Sequence, residues 1–436
     1  MTIPVRRVFR ASLLFVGVAA ARDVFAWQGD GDLFGSVACA AGDLDADGVT
    51  DVLVAAPWAG GVLRLSGKDG RMLGVCAAHG AGDGYGAALA AGADIDGDHV
   101  ADFAVAASAS CRGFGAGYVE LRSGATGELR RTIFAEAIDW VFGRAIGFVP
   151  DLDGDGIDDL AVASERCEDV DWRTRRERAW GVLSLYSTRD GARLATLESS
   201  ATPKGFASSF LRVSDLDGDG FEDLIIGASA QTHRGPAILA AYSSRSGRSL
   251  FTLEYRSSIP GELGRMDVGD LDGDGCPDLL VVDDTSLAEE DSRVVAFSGT
   301  GYRPLACDVV LRPGNGARLR VVGDVDRDGA DDFVVACDGF WTDEPARLHS
   351  GRTGAELREW PGTAAWLNDW HQPGASVVAT GDIDGDDVPD LLLGDVNSAA
   401  PGVPGCVELV SGATGELVWR QTWLCAMTGT IQTPRR

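Results

Sequence analysis

Methionine and histidine are scarce in this chain of 436 residues, at four and five copies. The histidines (His79, His99, His233, His349, His371) are scattered, and no HExxH, GxSxG or P-loop pattern occurs. The common metalloprotease, serine-hydrolase and nucleotide-hydrolase signatures are therefore missing. No carboxylate pair stands out by spacing beyond the loops described below. The nine cysteines (Cys39, Cys76, Cys111, Cys167, Cys276, Cys307, Cys337, Cys406, Cys425) show no CxxC spacing, which leaves zinc and thioredoxin-type sites without support. Their odd number keeps one out of any intramolecular disulfide set. No apolar run approaches the roughly 18 residues of a membrane helix, and no segment sustains a 3.6-residue period. Basic residues are outnumbered 38 to 66, for a net charge of −28, which argues against nucleic acid as a partner. Disorder fits poorly, because Val, Leu, Ile and Phe recur throughout.

Residues 1–26 read as a secretory signal. Arg6, Arg7 and Arg10 make a basic start, Ala11 to Ala21 is an apolar run, and cleavage is expected after Ala21 or Ala26. Residues 27–436 are then expected to form a soluble, monomeric, secreted protein, extracellular or periplasmic, with no membrane span.

The rest of the chain is a repeat. The pattern D-x-D-x-D-x-x-x-D begins at Asp43, Asp94, Asp151, Asp215, Asp270, Asp324 and Asp382, at spacings of 51 to 64 residues. Seven copies hold 28 of the 66 acidic residues, and the 38 that remain equal the 38 Lys and Arg. The whole charge imbalance sits in these loops. Before each loop comes a run of small and apolar residues, opened by Phe34-Gly35, Tyr85-Gly86, Phe142-Gly143, Phe206-Ala207 or Leu263-Gly264. After it comes a β-rich run such as VLVAAP or LIIGAS. A third run ends in a turn such as LSGKDGR or RSGATGE, and a fourth run follows. Short apolar runs bounded by Gly, Asp and Ser are strand-and-turn signals. Four strands per unit and seven units predict an all-β, seven-bladed propeller of four-stranded antiparallel blades, since radial packing buries both faces of every sheet.

Phe34-Gly35, Gly42-Asp43-Leu44-Asp45-Ala46-Asp47-Gly48, Asp51 and Ala55-Ala56-Pro57 together resemble an FG-GAP repeat of integrin α subunits, and the likeness runs through nearly all of residues 27–436. Integrins carry a calcium loop in only some blades, whereas here all seven keep their aspartates. No inserted ligand-binding domain is evident, so the cell-surface role is not carried over.

Clustered carboxylates point to a cation. At an effective dielectric near 20, two charges about 4 Å apart repel by about 4 kcal/mol. All-oxygen donors select calcium, magnesium or manganese, and a dense protein cage favours calcium. The expected ligands are Asp43, Asp45, Asp47 and Asp51 with the carbonyl of Val49, then Asp94, Asp96, Asp98 and Asp102 with Val100. Blade three offers Asp151, Asp153, Asp155 and Asp159 with Ile157, and blade four Asp215, Asp217, Asp219 and Asp223 with Phe221. Blade five has Asp270, Asp272, Asp274 and Asp278 with Cys276, used through its carbonyl and not its thiol. Asp324, Asp326, Asp328 and Asp332 with Ala330, and Asp382, Asp384, Asp386 and Asp390 with Val388, complete the set. An EF-hand is excluded, because Val54, Val162 and Ile226 stand where its twelfth-position Glu belongs. The sixth position is Gly in five loops, which predicts positive φ there. His99 and Asp387 depart from it, so weaker binding is expected in those two loops. The ions, up to seven Ca2+, are expected to be structural, since the loops offer no open position.

In an up-and-down blade the aspartate loops (strand A to B) and the SG turns (C to D) share one face. The longer connections fall on the other: Glu165 to Trp180 with Trp172, Arg173, Arg175 and Arg176; the segment with Trp341; and that with Trp360, Trp366, Trp370 and His371. Loops with aromatics and Arg on a rigid scaffold are candidate partner sites. The favoured function is a non-catalytic scaffold binding a protein or glycan in adhesion. An enzyme acting on extracellular polysaccharide and a lectin are the alternatives. Ring closure is open at this stage, with Val24 to Asp30 and Glu416 to Trp423 each a candidate outer strand.

Overall fold

The structure, a computed structural model, describes residues 33–57, 59–78, 83–108, 117–136, 139–171, 176–198, 206–228, 236–256, 266–283, 292–299, 303–311, 317–337, 345–360, 371–397 and 405–422. Their regular elements are all strands, and no helix among them is long and apolar enough to cross a membrane. Blade one is β1 (Ala38–Gly42), β2 (Asp51–Ala56), β3 (Gly61–Leu65) and β4 (Met72–Ala77). Blade two is β5 (Tyr85–Ala91), β6 (Phe103–Ala107), β7 (Tyr118–Arg122) and β8 (Leu129–Phe134). A short β9 (Asp139–Trp140) precedes blade three: β10 (Ile146–Val149), β11 (Asp159–Asp171), β12 (Arg176–Tyr186) and β13 (Arg193–Glu198). Blade four is β14 (Phe206–Val213), β15 (Asp223–Ala228), β16 (Pro236–Tyr242) and β17 (Ser249–Arg256). Blade five is β18 (Met266–Gly269), β19 (Asp278–Asp283), β20 (Ser292–Phe297) and β21 (Pro304–Leu311). Blade six is β22 (Ala317–Gly323), β23 (Asp332–Cys337), β24 (Ala346–His349) and β25 (Glu356–Trp360). Blade seven is β26 (His371–Gly381), β27 (Asp390–Asn397), β28 (Cys406–Val410) and β29 (Leu417–Thr422). Every blade pairs its four strands in chain order, antiparallel throughout.

Seven apolar clusters form, one at each blade interface. In β2, Val52 and Val54 pack with Leu392, Val407 and Trp419 of blade seven, while Leu53 and Ala55 pack with Tyr85, Phe103 and Val105 of blade two. Successive side chains of a strand point to opposite faces. A strand buried on both faces must therefore be apolar at every position, and that is why the VLVAA and LIIGA runs do not alternate.

An aromatic residue followed by Gly or Ala seats blades one to four on the blade before. Phe34, Tyr85, Phe142 and Phe206 are at most 1% exposed. The residue after each has φ of +86°, +90°, +80° and +56° (Gly35, Gly86, Gly143 and Ala207). A Cβ on Gly86 would lie 2.8 Å from Cβ of Ala55, and one on Gly143 would lie 2.8 Å from Cβ of Ala106. The small residue after one aspartate loop thus receives the glycine that opens the next blade.

Closure is now decided. β1 touches both β5 and β26, and Ser376 Oγ donates to the Gly35 carbonyl at 2.7 Å. β29 is the outer strand of blade seven, in sequence after β28. The other candidate, Val24 to Asp30, lies outside the described residues.

The Glu165–Trp180 connection differs from the loop expected of it. β11 and β12 run on for 13 and 11 residues, paired as far as Asp171↔Arg176 and flanked by β9. It is a β-ribbon that continues the ladder of the two strands beyond the blade.

Candidate metal centres

Each aspartate loop opens where the first strand ends and closes where the second begins, so its shape is set by the hairpin. In blade one Asp43 accepts the amides of Asp47 (3.0 Å) and Gly48 (2.8 Å), and Asp47 Oδ1 accepts that of Val49 at 3.0 Å. The pattern recurs, for example at Asp151 with Gly154, Asp155 and Gly156. These bonds need left-handed backbone. All seven sixth positions have positive φ, including His99 (+69°) and Asp387 (+63°). The fourth positions do too, and there Ala46 (+61°) and Arg327 (+63°) stand where the other loops carry Gly. Sequence reasoning passed over that second requirement, although Gly at five fourth positions was its signal.

The ninth-position aspartates are fully buried and tie two connections together. Asp51 Oδ2 accepts the amide of Leu44 at 2.7 Å, and its Oδ1 accepts that of Gly67, in the SG turn, at 3.0 Å. Asp102 does the same with Ile95 and Gly124, and Asp390 with Ile383 and Gly412. Loop and turn therefore share one face, as the topology required. A Cβ on Gly67 would fall 1.9 Å from the Thr50 carbonyl oxygen, yet blade four carries Ser244 at this position and keeps its amide on Asp223 Oδ1 at 3.2 Å. Blade three carries Thr188 there instead. Its hydroxyl donates to the Asp158 carbonyl at 2.8 Å, and Asp159 Oδ1 is left buried with no partner.

Carboxylate oxygens from the first, third and ninth positions converge to within 4.8 Å of one another in Asp43/Asp45/Asp51, Asp94/Asp96/Asp102, Asp151/Asp153/Asp159, Asp215/Asp217/Asp223 and Asp270/Asp272/Asp278, and two further groups of this kind occur. The fifth-position aspartates turn one oxygen back onto the seventh-position amide, as Asp274 does to Cys276 at 2.8 Å and Asp386 to Val388 at 2.9 Å. A divalent cation with oxygen ligands fits this donor set. Two buried carboxylate oxygens without a hydrogen bond, Asp45 Oδ1 and Asp159 Oδ1, lie in these groups, and an unsatisfied buried acceptor is costly.

Burial raises the ninth-position carboxyls first, and the neighbouring acids add to it. Asp51 and Asp332 are pushed up to about 6 and Asp159 to about 7. Amides work the other way at the loop start, where the Gly156 and Gly220 N–H groups hold Asp151 and Asp215 below the ordinary carboxylate range. The loops are also less bare than the charge count implied. Arg71 reaches Asp45 at 2.8 Å, Arg130 reaches Asp96 at 2.5 Å, Arg189 reaches Asp155 at 2.8 Å and Arg352 reaches Asp328 at 3.4 Å. Most of these pairs are exposed at the Arg end, where such contacts are worth little.

Trp172, Arg173, Arg175, Trp341, Trp366 and Trp370 lie outside the described residues, and so does the side chain of Arg176. Trp360 takes the other role open to a strand-end tryptophan. It is 7% exposed, packs between blades six and seven, and donates from Nε1 to the Gly415 carbonyl at 3.3 Å.

Comparison with known proteins agrees with this architecture. Residues 34–71 match the FG-GAP repeat and residues 215–281 the FG-GAP-like repeat. Integrin alpha-4 of Xenopus laevis is 30% identical over 159 residues, which cover 34% of this chain and 14% of the integrin. Integrin alpha-5 of the same species is 29% identical over 179 residues, covering 38% and 17%. The chain thus spans only a small part of the relatives it matches. Among solved structures, the Dos1 propeller aligns at 13% identity and a TM-score of 0.46, over 82% of this chain and 81% of that one. A rhamnogalacturonan lyase of Bacillus licheniformis aligns at 16% identity and a TM-score of 0.43, over 90% and 74%.

Proposed function

Taking as premise that this chain is an FG-GAP-repeat, integrin-α-like β-propeller, we propose that it is an exported calcium-binding scaffold that engages a protein or glycan partner through the face opposite its aspartate loops. The observation that carries the metal half is the convergence of three carboxylates in loop after loop, with Asp45 Oδ1 and Asp159 Oδ1 buried and unpaired among them. In blade one Asp43, Asp45 and Asp51 would hold the ion, and in blade three Asp151, Asp153 and Asp159. A bound Ca2+ would neutralise the cluster and fix the connection between the first two strands. Metal bound only by the folded state stabilises it by mass action.

The partner half rests on the division of labour between faces. Loop and SG turn are short and mutually bonded on the aspartate face, while the long β11–β12 ribbon extends toward the opposite one. Export follows from the basic and apolar pattern of residues 1–26. Calorimetric titration of chelator-stripped protein with Ca2+, followed by a glycan array and a protein pull-down with and without chelator, tests both halves. Saturable uptake of several ions with a raised melting temperature is expected. Absence of uptake rules out the metal role, and binding unaffected by deletion of Cys167–Arg178 counts against the ribbon face.

A further inference from the structure

Residues in or just before all seven inner strands, β1, β5, β10, β14, β18, β22 and β26, line one central cavity of about 210 Å3. Its wall is built of Ser, Ala, Val, Leu, Ile, Phe and Met, with one exception: blade six contributes Arg318 and Arg320. Residues two apart on a strand share a face. Leu319 between them is 3% exposed and packs between blades five and six, so both arginines stand on the face toward blade seven, where they line the cavity and Arg320 Nε donates to the Val377 carbonyl at 3.4 Å.

The two arginines differ in what compensates them. Arg320 lies 3.4 Å from Asp267. That carboxylate also accepts the amides of Val321 at 2.8 Å and Val268 at 3.0 Å. Arg318 has no acidic partner among the described residues, and its Nε is shielded from solvent with no hydrogen bond. A buried guanidinium N–H without an acceptor carries the full desolvation penalty, in a protein whose net charge is −28. The aspartate loop of the same blade begins six residues further along the strand, about 20 Å at strand rise. Screening over about 8 Å in physiological salt isolates the channel from its charge.

We propose that the central channel is a binding site for a small sugar acid, with the carboxylate received by Arg318. A guanidinium presents paired donors that match a carboxylate. A hydroxyl group of the ligand would meet Ser36, a half-buried serine on the cavity wall. The cavity admits one monosaccharide-sized molecule. This inference depends neither on the ribbon nor on calcium.

The test is titration of the calcium-loaded full chain with D-glucuronate and with neutral D-glucose, followed by calorimetry and saturation-transfer NMR. Glucuronate is expected to bind saturably, glucose not, and affinity should fall as salt is raised. Arg318→Gln should weaken glucuronate by about tenfold or more, with an unchanged melting temperature and an unchanged Ca2+ titration. Equal behaviour of the two sugars in the wild-type chain overturns the proposal, whatever the variant does. So does a folded Arg318→Gln chain that binds glucuronate as before. Neither result bears on partner binding by the outer ribbon, which the array and pull-down read separately.

Discussion

The indole Nε1 of Trp419 donates to the carbonyl of Gly67 at 2.6 Å, across 352 residues of sequence. Two residues on, Gln421 reaches the Gly70 carbonyl at 3.2 Å. The last strand therefore docks on the SG turn of the first blade, and among the described residues the ring shuts by side-chain bonds to backbone, with no strand lent between ends. The same device joins other neighbours. Arg64 in blade one donates to the carbonyls of Gly124, Ala125 and Thr126 in blade two, and Arg358 in blade six to those of Gly412 and Ala413 in blade seven. Loss of the ring-closing contact should be costly. Trp419→Ala is expected to lower unfolding stability by about 4 kcal/mol, and Trp419→Phe, which keeps most packing, by about 1 kcal/mol. Urea denaturation of the calcium-loaded chain measures both.

Two aspartates of one loop should behave oppositely. Asp51→Ala strips the amides of Leu44 and Gly67 of their acceptor and is expected to cost about 2–4 kcal/mol even in chelator. Asp45→Asn leaves those bonds intact, so it should lower the count of bound Ca2+ by one while chelated stability stays within about 0.5 kcal/mol. Parallel calorimetry and denaturation of the two variants separate the tether from the ligand.

Stability should depend on pH with opposite signs in chelator and in calcium. Asp51, Asp332 and Asp159 sit at about 6, 6 and 7 in the metal-free fold, against about 3.9 in an unfolded chain. Between about pH 4 and 7 the folded state then holds more protons than the unfolded one, so metal-free stability rises as pH falls through that window. Calcium requires the deprotonated carboxylates, so its stabilisation fades over the same range. Scanning calorimetry from pH 8 to pH 5 should show Tm rising in EDTA and falling in excess Ca2+. The same direction in both conditions would contradict this account.

Backbone demands can be probed at two small residues. Gly86→Val places a side chain at φ +90° and against Cβ of Ala55, and should destabilise by about 3 kcal/mol. Ala46→Gly relieves a left-handed alanine at φ +61° and should stabilise by up to about 1 kcal/mol. Thermal melts in chelator read both without interference from ion binding.

Much of this protein was local information. The seven aspartate motifs, the doubly buried strands and the left-handed sixth positions follow from the order of residues, because charge clustering, period-two geometry and the φ > 0 requirement act within about ten residues. Loop and turn could be assigned to one face from connectivity alone. What waited for tertiary structure depends on neighbours far away in the chain. Which oxygens converge is decided by Asp51 reaching across to Gly67, and the orphaning of Asp159 by a threonine in the opposing turn. The seating of Gly86 on Ala55, the bond from Trp419 to Gly67 and the pairless Arg318 in the channel wall exist only once seven blades pack in a circle, since each depends on a surface supplied by another blade.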